Sequence, residues 1–404
     1  MHGAVLIRGA RQLITLQGPA GPRRGLAMRD VHIIQDGAIL ISDGIIQEVG
    51  PSRRVERLKA CHDALEIDAT GKCVVPAFVD PYARLLCGPA RRNEDGAPAP
   101  GAFQASVCAF RQYSPQRMDL ELAKRLRPFI HHGTTTIGAC CGYGLDQAAE
   151  IKALRVLKAR NNQPLRIEPS FFGGAACPAE YEGNPEGYAA WLEQAPLAEI
   201  KQKRLTRRVS AHSSLGERAL GRLFPAARQT DFDLQFHTSG EFVPLALQHG
   251  ADTLVGLESA GPETVAAVAA SNAIAVLTPG ECFVRGDDYA PARALIDAGA
   301  AVALATGFDL MMSPTASMPM IMSLACARMK MTPAEAIVAA TVNAASALGV
   351  DSEVGVLQHA KHADLLLLQT GDYRDLVFHF GLNLVAVVFR KGEQIYPRMG
   401  AARR

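Results

Sequence analysis

The residues best equipped for chemistry in this chain are a thiol pair, a histidine and a scatter of charged groups near strand ends. Cys140-Cys141 closes an apolar, β-branched run that reads as a strand, and His237 closes another, Leu234-Gln235-Phe236-His237. With His237 as base, Cys140 or Cys141 becomes a candidate nucleophile, and the cation Arg84 is expected to lower the thiol pKa. The competing expectation is that a free cysteine behaves as a small buried hydrophobe. Asp309, in Gly307-Phe308-Asp309-Leu310, and Glu281-Cys282, after Pro279-Gly280, supply acids at two further strand ends. Together with Tyr82, Arg84 and Arg91 they suit a metal-free pocket for a small anion. The catalytic candidates are therefore Cys140, Cys141, His237 and Asp309. Tyr82, Arg84, Arg91, Tyr143, His237 and Asp309 are the candidate ligand contacts.

Those positions need a scaffold that delivers strand ends into one cleft. The run Cys73-Val74-Val75-Pro76-Ala77-Phe78-Val79 ends in Asp80-Pro81 and then turns polar, as a buried parallel strand does where it meets a cleft. From about residue 74 to 348 strands alternate with helical stretches. The strands are expected over 134–139, 234–237, 273–277 and 301–305, and the helices over 120–127, 145–160, 290–298 and 333–347. Such alternation predicts a parallel sheet, here closed into a barrel with its site at the C-terminal strand ends. Thr332-Pro333-Ala334-Glu335 is a helix start: Thr as cap, Pro at the first position, an acid at the third.

Before residue 74 the chain is a series of short β-branched runs. Asp36-Gly37 and Asp43-Gly44 are both expected to be hairpin turns. After 350 short strands return, at 363–369, 383–390 and 391–396. The predicted division is residues 1–73 and 351–404 forming one composite β-sandwich domain from both termini, with a TIM-like (β/α)8 barrel over 74–350 between them. Residues 93–101, rich in Pro and Gly, read as a long loop over the barrel mouth.

Composition narrows the function classes. The 404 residues include 42 Lys+Arg against 40 Asp+Glu, a net charge of +2 that gives no electrostatic case for a nucleic-acid partner. Nine cysteines without a CxxC pair do not form a disulfide framework. No apolar run approaches the roughly 18 residues of a membrane span, and the opening MHGAVLIRGA reads as a strand rather than a leader. The expected setting is cytoplasmic, with no nucleic acid and no membrane.

Several stretches identify a family. His132-Gly133-Thr134-Thr135-Thr136, Gly142-Tyr143-Gly144-Leu145-Asp146 and Leu277-Thr278-Pro279-Gly280 resemble the imidazolonepropionase family of the amidohydrolases. So do Ser313-Pro314-Thr315-Ala316-Ser317-Met318-Pro319 and His379-Phe380-Gly381-Leu382-Asn383, and the resemblance runs from end to end. It implies an amidohydrolase barrel, hydrolysis of a C–N bond in a cyclic amide, and a zinc or iron ion that activates water.

The family's ligand positions, however, fall on Tyr82, Arg84, His237 and Gly307, where only the histidine survives. The carboxylate expected after the third ligand falls on Ser239, and Glu241 stands two residues beyond it. The histidine expected after Phe171-Phe172-Gly173 falls on Ala175, and another assisting histidine is Thr253. Arg91 matches an arginine that holds the substrate's carboxylate, and Tyr143 matches the tyrosine of the family's turn. The expectation is therefore an imidazolonepropionase-like chain without zinc or iron, catalytically silent, that binds a small anion or stabilises a partner. That partner would be a second copy or an active relative. The contrasting expectation is an active cyclic-amide hydrolase with a remade site.

Overall fold

The computed structural model describes residues 3–89, 92–94, 99–174 and 177–397. Its strands fall into two sheets. The N-terminal strands are β1 (Val5–Ile14), β2 (Ile33–Ser42), β3 (Ile45–Pro51), β4 (Leu65–Asp68) and β5 (Cys73–Pro76). The barrel strands are β6 (Phe78–Ala83), β7 (Thr134–Cys141), β8 (Arg166–Gly174), β9 (Arg208–His212) and β10 (Asp233–Thr238), then β11 (Thr253–Gly256), β12 (Ile274–Leu277) and β13 (Ala301–Leu304). Last come β14 (Leu365–Leu368), β15 (Val385–Arg390) and β16 (Glu393–Tyr396). By packing, the chain divides into one unit holding residues up to 80, 127–136 and from 317 onward, and another holding 81–126 and 137–316.

The first sheet runs β16-β15-β14-β5-β1-β2-β3, with β4 also paired to β1, so both termini build it. Its core takes Leu13 from β1, Ile39 and Ile41 from β2, Ile46 from β3, Val74 from β5 and Leu365, Leu367 and Phe389 from the C-terminal strands. Asp43-Gly44 is the hairpin turn between β2 and β3, as expected. Asp36-Gly37 is not a turn. It lies inside β2, where Asp36 takes a φ of 47° and Gly37 pairs opposite Ala10. Gly37 is there for space: a Cβ on it would stand 2.5 Å from that of Leu13.

The second sheet follows chain order from β6 to β13, and the pairs from β8 to β13 are parallel. It closes through a parallel bridge between Ala83 and Phe308, where the Arg84 amide donates to the Phe308 carbonyl (2.7 Å) and the Gly307 amide to the Tyr82 carbonyl (3.2 Å). The expected amidohydrolase-type barrel with a composite β domain is the observed fold. One boundary differs in kind. The run 73–79 is two strands, β5 in the first sheet and β6 in the barrel, separated only by Ala77, whose amide donates to the Asp364 carbonyl (3.0 Å).

The helix expected over 145–160 begins at Gln147, capped by Asp146, which accepts from the Ala149 amide (2.8 Å). The one expected over 333–347 is two, Pro333–Ala339 and Val342–Ala347, broken where the Thr341 hydroxyl turns back to donate to the Ile337 carbonyl. The break sets Asn343 to clamp the backbone of Arg23, accepting from its amide (2.7 Å) and donating to its carbonyl (2.9 Å). Among the described residues no helix is long and apolar enough to cross a membrane.

Thr332 and Glu335 form a reciprocal capping box: Thr332 Oγ1 accepts from the Glu335 amide and Glu335 Oε2 from the Thr332 amide. Glu335 is fully buried and also paired with Arg29 at 2.9 Å. Replacing a capping threonine by alanine costs about 1 kcal/mol. Thr332→Ala is therefore expected to lower the urea-unfolding midpoint with an unchanged slope, and an unaltered midpoint would contradict the cap.

Candidate functional site

Parallel strands ending at one rim deliver Tyr82 and Arg84 (β6 and just beyond), Cys140 and Cys141 (β7), His237 (β10) and Asp309 (the loop after β13). The helix Pro279–Arg285, which follows β12, adds Glu281 in its first turn. Arg84 is the hub. Its Nε donates to the Tyr82 hydroxyl (2.6 Å), Nη1 lies 3.8 Å from Asp309 Oδ2 and Nη2 lies 3.8 Å from Glu281 Oε1. The guanidinium is also 5.5 Å from the Tyr82 ring centre. Burial alone would discourage the charge on Arg84, but Tyr82, Tyr143, Glu281 and Asp309 outweigh it and hold the side chain cationic.

Asp309 is wholly buried and hydrogen-bonded throughout. Oδ1 accepts from the amides of Met311 (2.7 Å) and Met312 (3.0 Å), and Oδ2 accepts from the Tyr143 hydroxyl. Its own backbone is tied reciprocally to Ser313. Asp309 thus folds its loop and fixes Tyr143 as much as it faces Arg84. Tyr143 itself projects from a tight turn. The buried Glu150 carboxylate accepts from the Gly144 (2.7 Å) and Leu145 (3.1 Å) amides, so Gly142–Asp146 is a built turn, as its position at the rim suggested.

His237 is 5% exposed and lies between two rings, with centroids 4.3 Å from Phe172 (stacked) and 4.5 Å from Tyr82. Its Nε2 has no hydrogen-bond partner among the described residues. Burial, reinforced by Arg84 and His212, pushes its pKa well below the usual imidazole value, so the ring is neutral.

The thiol pair does not meet this histidine: no hydrogen bond joins Cys140 or Cys141 to His237 among the described residues. Cys140 Sγ donates to Gln235 Oε1 (3.5 Å), in a polar layer inside the barrel where Ser210 also donates to Gln235 (2.8 Å) and Ser170 and Ser210 share a hydrogen bond (2.6 Å). Burial pushes the Cys140 thiol up to about 11, with Ser210 and Arg84 offsetting only part, and burial also pushes Cys141 well above the usual thiol value. The expected lowering by Arg84 exists but loses to desolvation, and both thiols stay protonated at neutral pH.

Arg91 and Ala175 lie outside the described residues, as do 95–98 of the loop over 93–101. Arg92 is described, and although exposed its Nη2 donates to the Leu310 (3.0 Å) and Met311 (2.7 Å) carbonyls, bracing the Asp309 loop. Glu241 is exposed, as expected for a loop acid.

Glu281, a rim acid that the strand-end pattern leaves outside the candidate catalytic and ligand contacts, is the more telling acid. It is 8% exposed, and Oε1 accepts no hydrogen bond among the described residues. A Cβ built on Gly307, whose φ is +58°, would stand 2.6 Å from that same oxygen. The Glu281 carboxylate therefore fills the space into which a side chain at 307 would project. Burial pushes its pKa up to about 7, against the opposing pull of Arg84 and Arg285. The usable signal was its place in the first turn of a helix following a barrel strand. Glu258, just after β11, is a half-buried acid whose pKa is raised by desolvation, 3.7 Å from Arg285. Among the described residues no group of three or more His, Cys, Asp or Glu side chains could hold a metal ion.

Comparison with known proteins places this geometry. The pattern of the Amidohydrolase family matches residues 74–395. The chain is 34% identical to an imidazolonepropionase of Parabacteroides distasonis over 97% of its own length and 99% of that protein's. It is 37% identical to an imidazolonepropionase of Solibacter usitatus, covering 96% and 97%. Among solved structures, guanine deaminase from C. acetobutylicum with bound guanine superimposes at a TM-score of 0.71, with 15% identity and 98% and 100% of the two chains covered. A zinc-bound adenosine deaminase from Xanthomonas campestris gives 0.69, with 16% identity over 96% and 92%. At such identities these two show the shared fold alone.

Because the folded chain holds the Glu281 proton more tightly than an unfolded one, Glu281 stabilises the fold fully below the ordinary glutamate pKa of about 4.3 and loses that contribution as pH rises through about 7. Glu150, also pushed up to about 7 by burial, adds a loss of the same sign. Urea unfolding at about pH 5 and pH 8 is expected to show lower stability at the higher pH, with Glu281→Gln removing on the order of 2–3 kcal/mol of the difference. Identical pH dependence in the two proteins would count against a protonated, buried Glu281.

Proposed function

The chain belongs to the amidohydrolase family and is imidazolonepropionase-like, and from that premise we propose that it is a metal-independent, ligand-binding member that does not hydrolyse imidazolonepropionate with zinc or iron. The observation that carries the reading is Arg84, charged and seated among Tyr82, Glu281 and Asp309. By the resemblance, this is where the family's divalent ion and its ligands would stand. The donor set does not fit such an ion. A guanidinium has no lone pair to give, its charge repels a second cation, and His237 is the single ligand-type side chain left at those positions. Glu281 reaches the space beside Gly307, but its carboxylate faces Arg84, which satisfies one cation already. The site residues therefore hold a fixed positive charge where the family's chemistry would place a metal.

One observation favours a second reading, metal-free hydrolysis of a cyclic amide. Glu281 is a buried carboxyl with a pKa of about 7, the range in which a general base works, and it stands beside a cation able to stabilise an oxyanion. The two readings separate in one assay. Purified protein is expected to carry far less than one equivalent of zinc or iron by elemental analysis and to leave imidazolonepropionate intact. Turnover that survives chelator and disappears in Glu281→Gln would replace the first reading by the second. Stoichiometric metal with chelator-sensitive turnover would overturn both.

A further inference from the structure

We propose that the two terminal nitrogens of Arg84 bind a small carboxylate, which enters together with one proton that lodges on Glu281. The inference rests on the metal-independent reading and adds a ligand class and a regulation to it.

The guanidinium commits one of its nitrogens: Nε donates to Tyr82. Nη1 and Nη2 make no protein hydrogen bond among the described residues, and each faces a carboxylate oxygen at 3.8 Å, beyond hydrogen-bonding range. The side chain keeps 22% of its exposure, so the fork is reachable from outside. A planar carboxylate matches such a fork in bidentate fashion at about 2.7–2.9 Å, a geometry that Glu281 and Asp309, each at 3.8 Å, do not adopt.

Charge decides the rest. Asp309 is held in place by Tyr143 and two amides, which donate to both of its oxygens. A third carboxylate beside Arg84 would leave the cation outnumbered three to one, unless one neighbour gives up its charge. Glu281 is the group placed to do so. Its Oε1 is unpartnered, and a proton there gives the incoming anion a hydrogen-bond donor. The charges facing Glu281 are Arg84, Arg285, Glu258 and Asp309, with the Tyr82 phenol beside Arg84. Where Glu281 starts ionised, ligand charge replaces Glu281 charge and the net charge of the cluster is unchanged. Binding becomes proton-linked in one direction: strongest where Glu281 is already protonated, and weaker above that range, where each bound anion must bring a proton.

Acetate is the probe, added to the full-length protein at constant ionic strength, with its apparent Kd read from the rise in melting temperature. The apparent Kd is expected to be about tenfold higher at about pH 8 than at about pH 6. Arg84→Lys, which keeps the charge and loses the fork, is expected to abolish the response. Glu281→Gln is expected to keep acetate binding and lose its pH dependence. The proposal is overturned by binding that is equal at both pH values, by binding that survives in Arg84→Lys, by an equal response to inorganic phosphate, or by no response. A metal-free protein indifferent to acetate removes this inference alone, whereas stoichiometric zinc removes the reading beneath it.

Discussion

The mouth of the barrel depends on one half-buried cation and what compensates it. Removing a guanidinium from water is costly, and a buried charge survives only with partners arranged around it. Arg84 obtains them from three separate parts of the chain: Tyr82 two residues earlier, Glu281 in the helix after β12, and Asp309 in the loop after β13. Each partner is itself fixed. Asp309 is held by Met311, Met312 and Tyr143, and Tyr143 by a turn that Glu150 ties down. The backbone does the same work in parallel, since the bridge of Ala83 to Phe308 that closes the barrel lies between Tyr82 and Arg84. Charge compensation and barrel closure thus meet in the same few residues.

Two lone carboxylates near one cation would ordinarily compete for it. Here they are inequivalent: both oxygens of Asp309 accept hydrogen bonds, and Glu281 has an oxygen without a donor among the described residues. Environments that differ in this way separate the behaviour of chemically similar acids. The neutral His237, pressed between Phe172 and Tyr82, contributes shape rather than charge.

Much of the fold was legible because local signals and tertiary packing agree. Thr332 and Glu335 form the box that their spacing announced, the Asp43-Gly44 turn joins two strands, and the barrel strands fall where apolar runs end in polar residues. The errors have physical causes. β5 and β6 are buried on every residue, so neither shows the alternation that would separate them. Asp36-Gly37 has the composition of a turn but serves inside β2, where Leu13 leaves no room for a side chain at 37. In the site, the positions of Tyr82, Arg84, His237 and Asp309 could be read from strand ends, whereas the fate of Cys140 could not. Whether a thiol meets a histidine or an amide depends on which side of the strand it leaves, and Gln235 and Ser210 decide that from distant stretches of sequence. Glu281 was underrated for a similar reason, because nothing local in Glu281-Cys282 announces a glycine 26 residues later (281 to 307) whose missing side chain makes room for it.

That reciprocal fit between Gly307 and Glu281 acts as a ratchet on the history open to this chain. An aspartate at 307 would have to take a left-handed backbone and collide with the glutamate, while truncating the glutamate first would strip Arg84 of a counter-charge. A change at either position is therefore felt at the other, and the two residues are expected to vary as a pair.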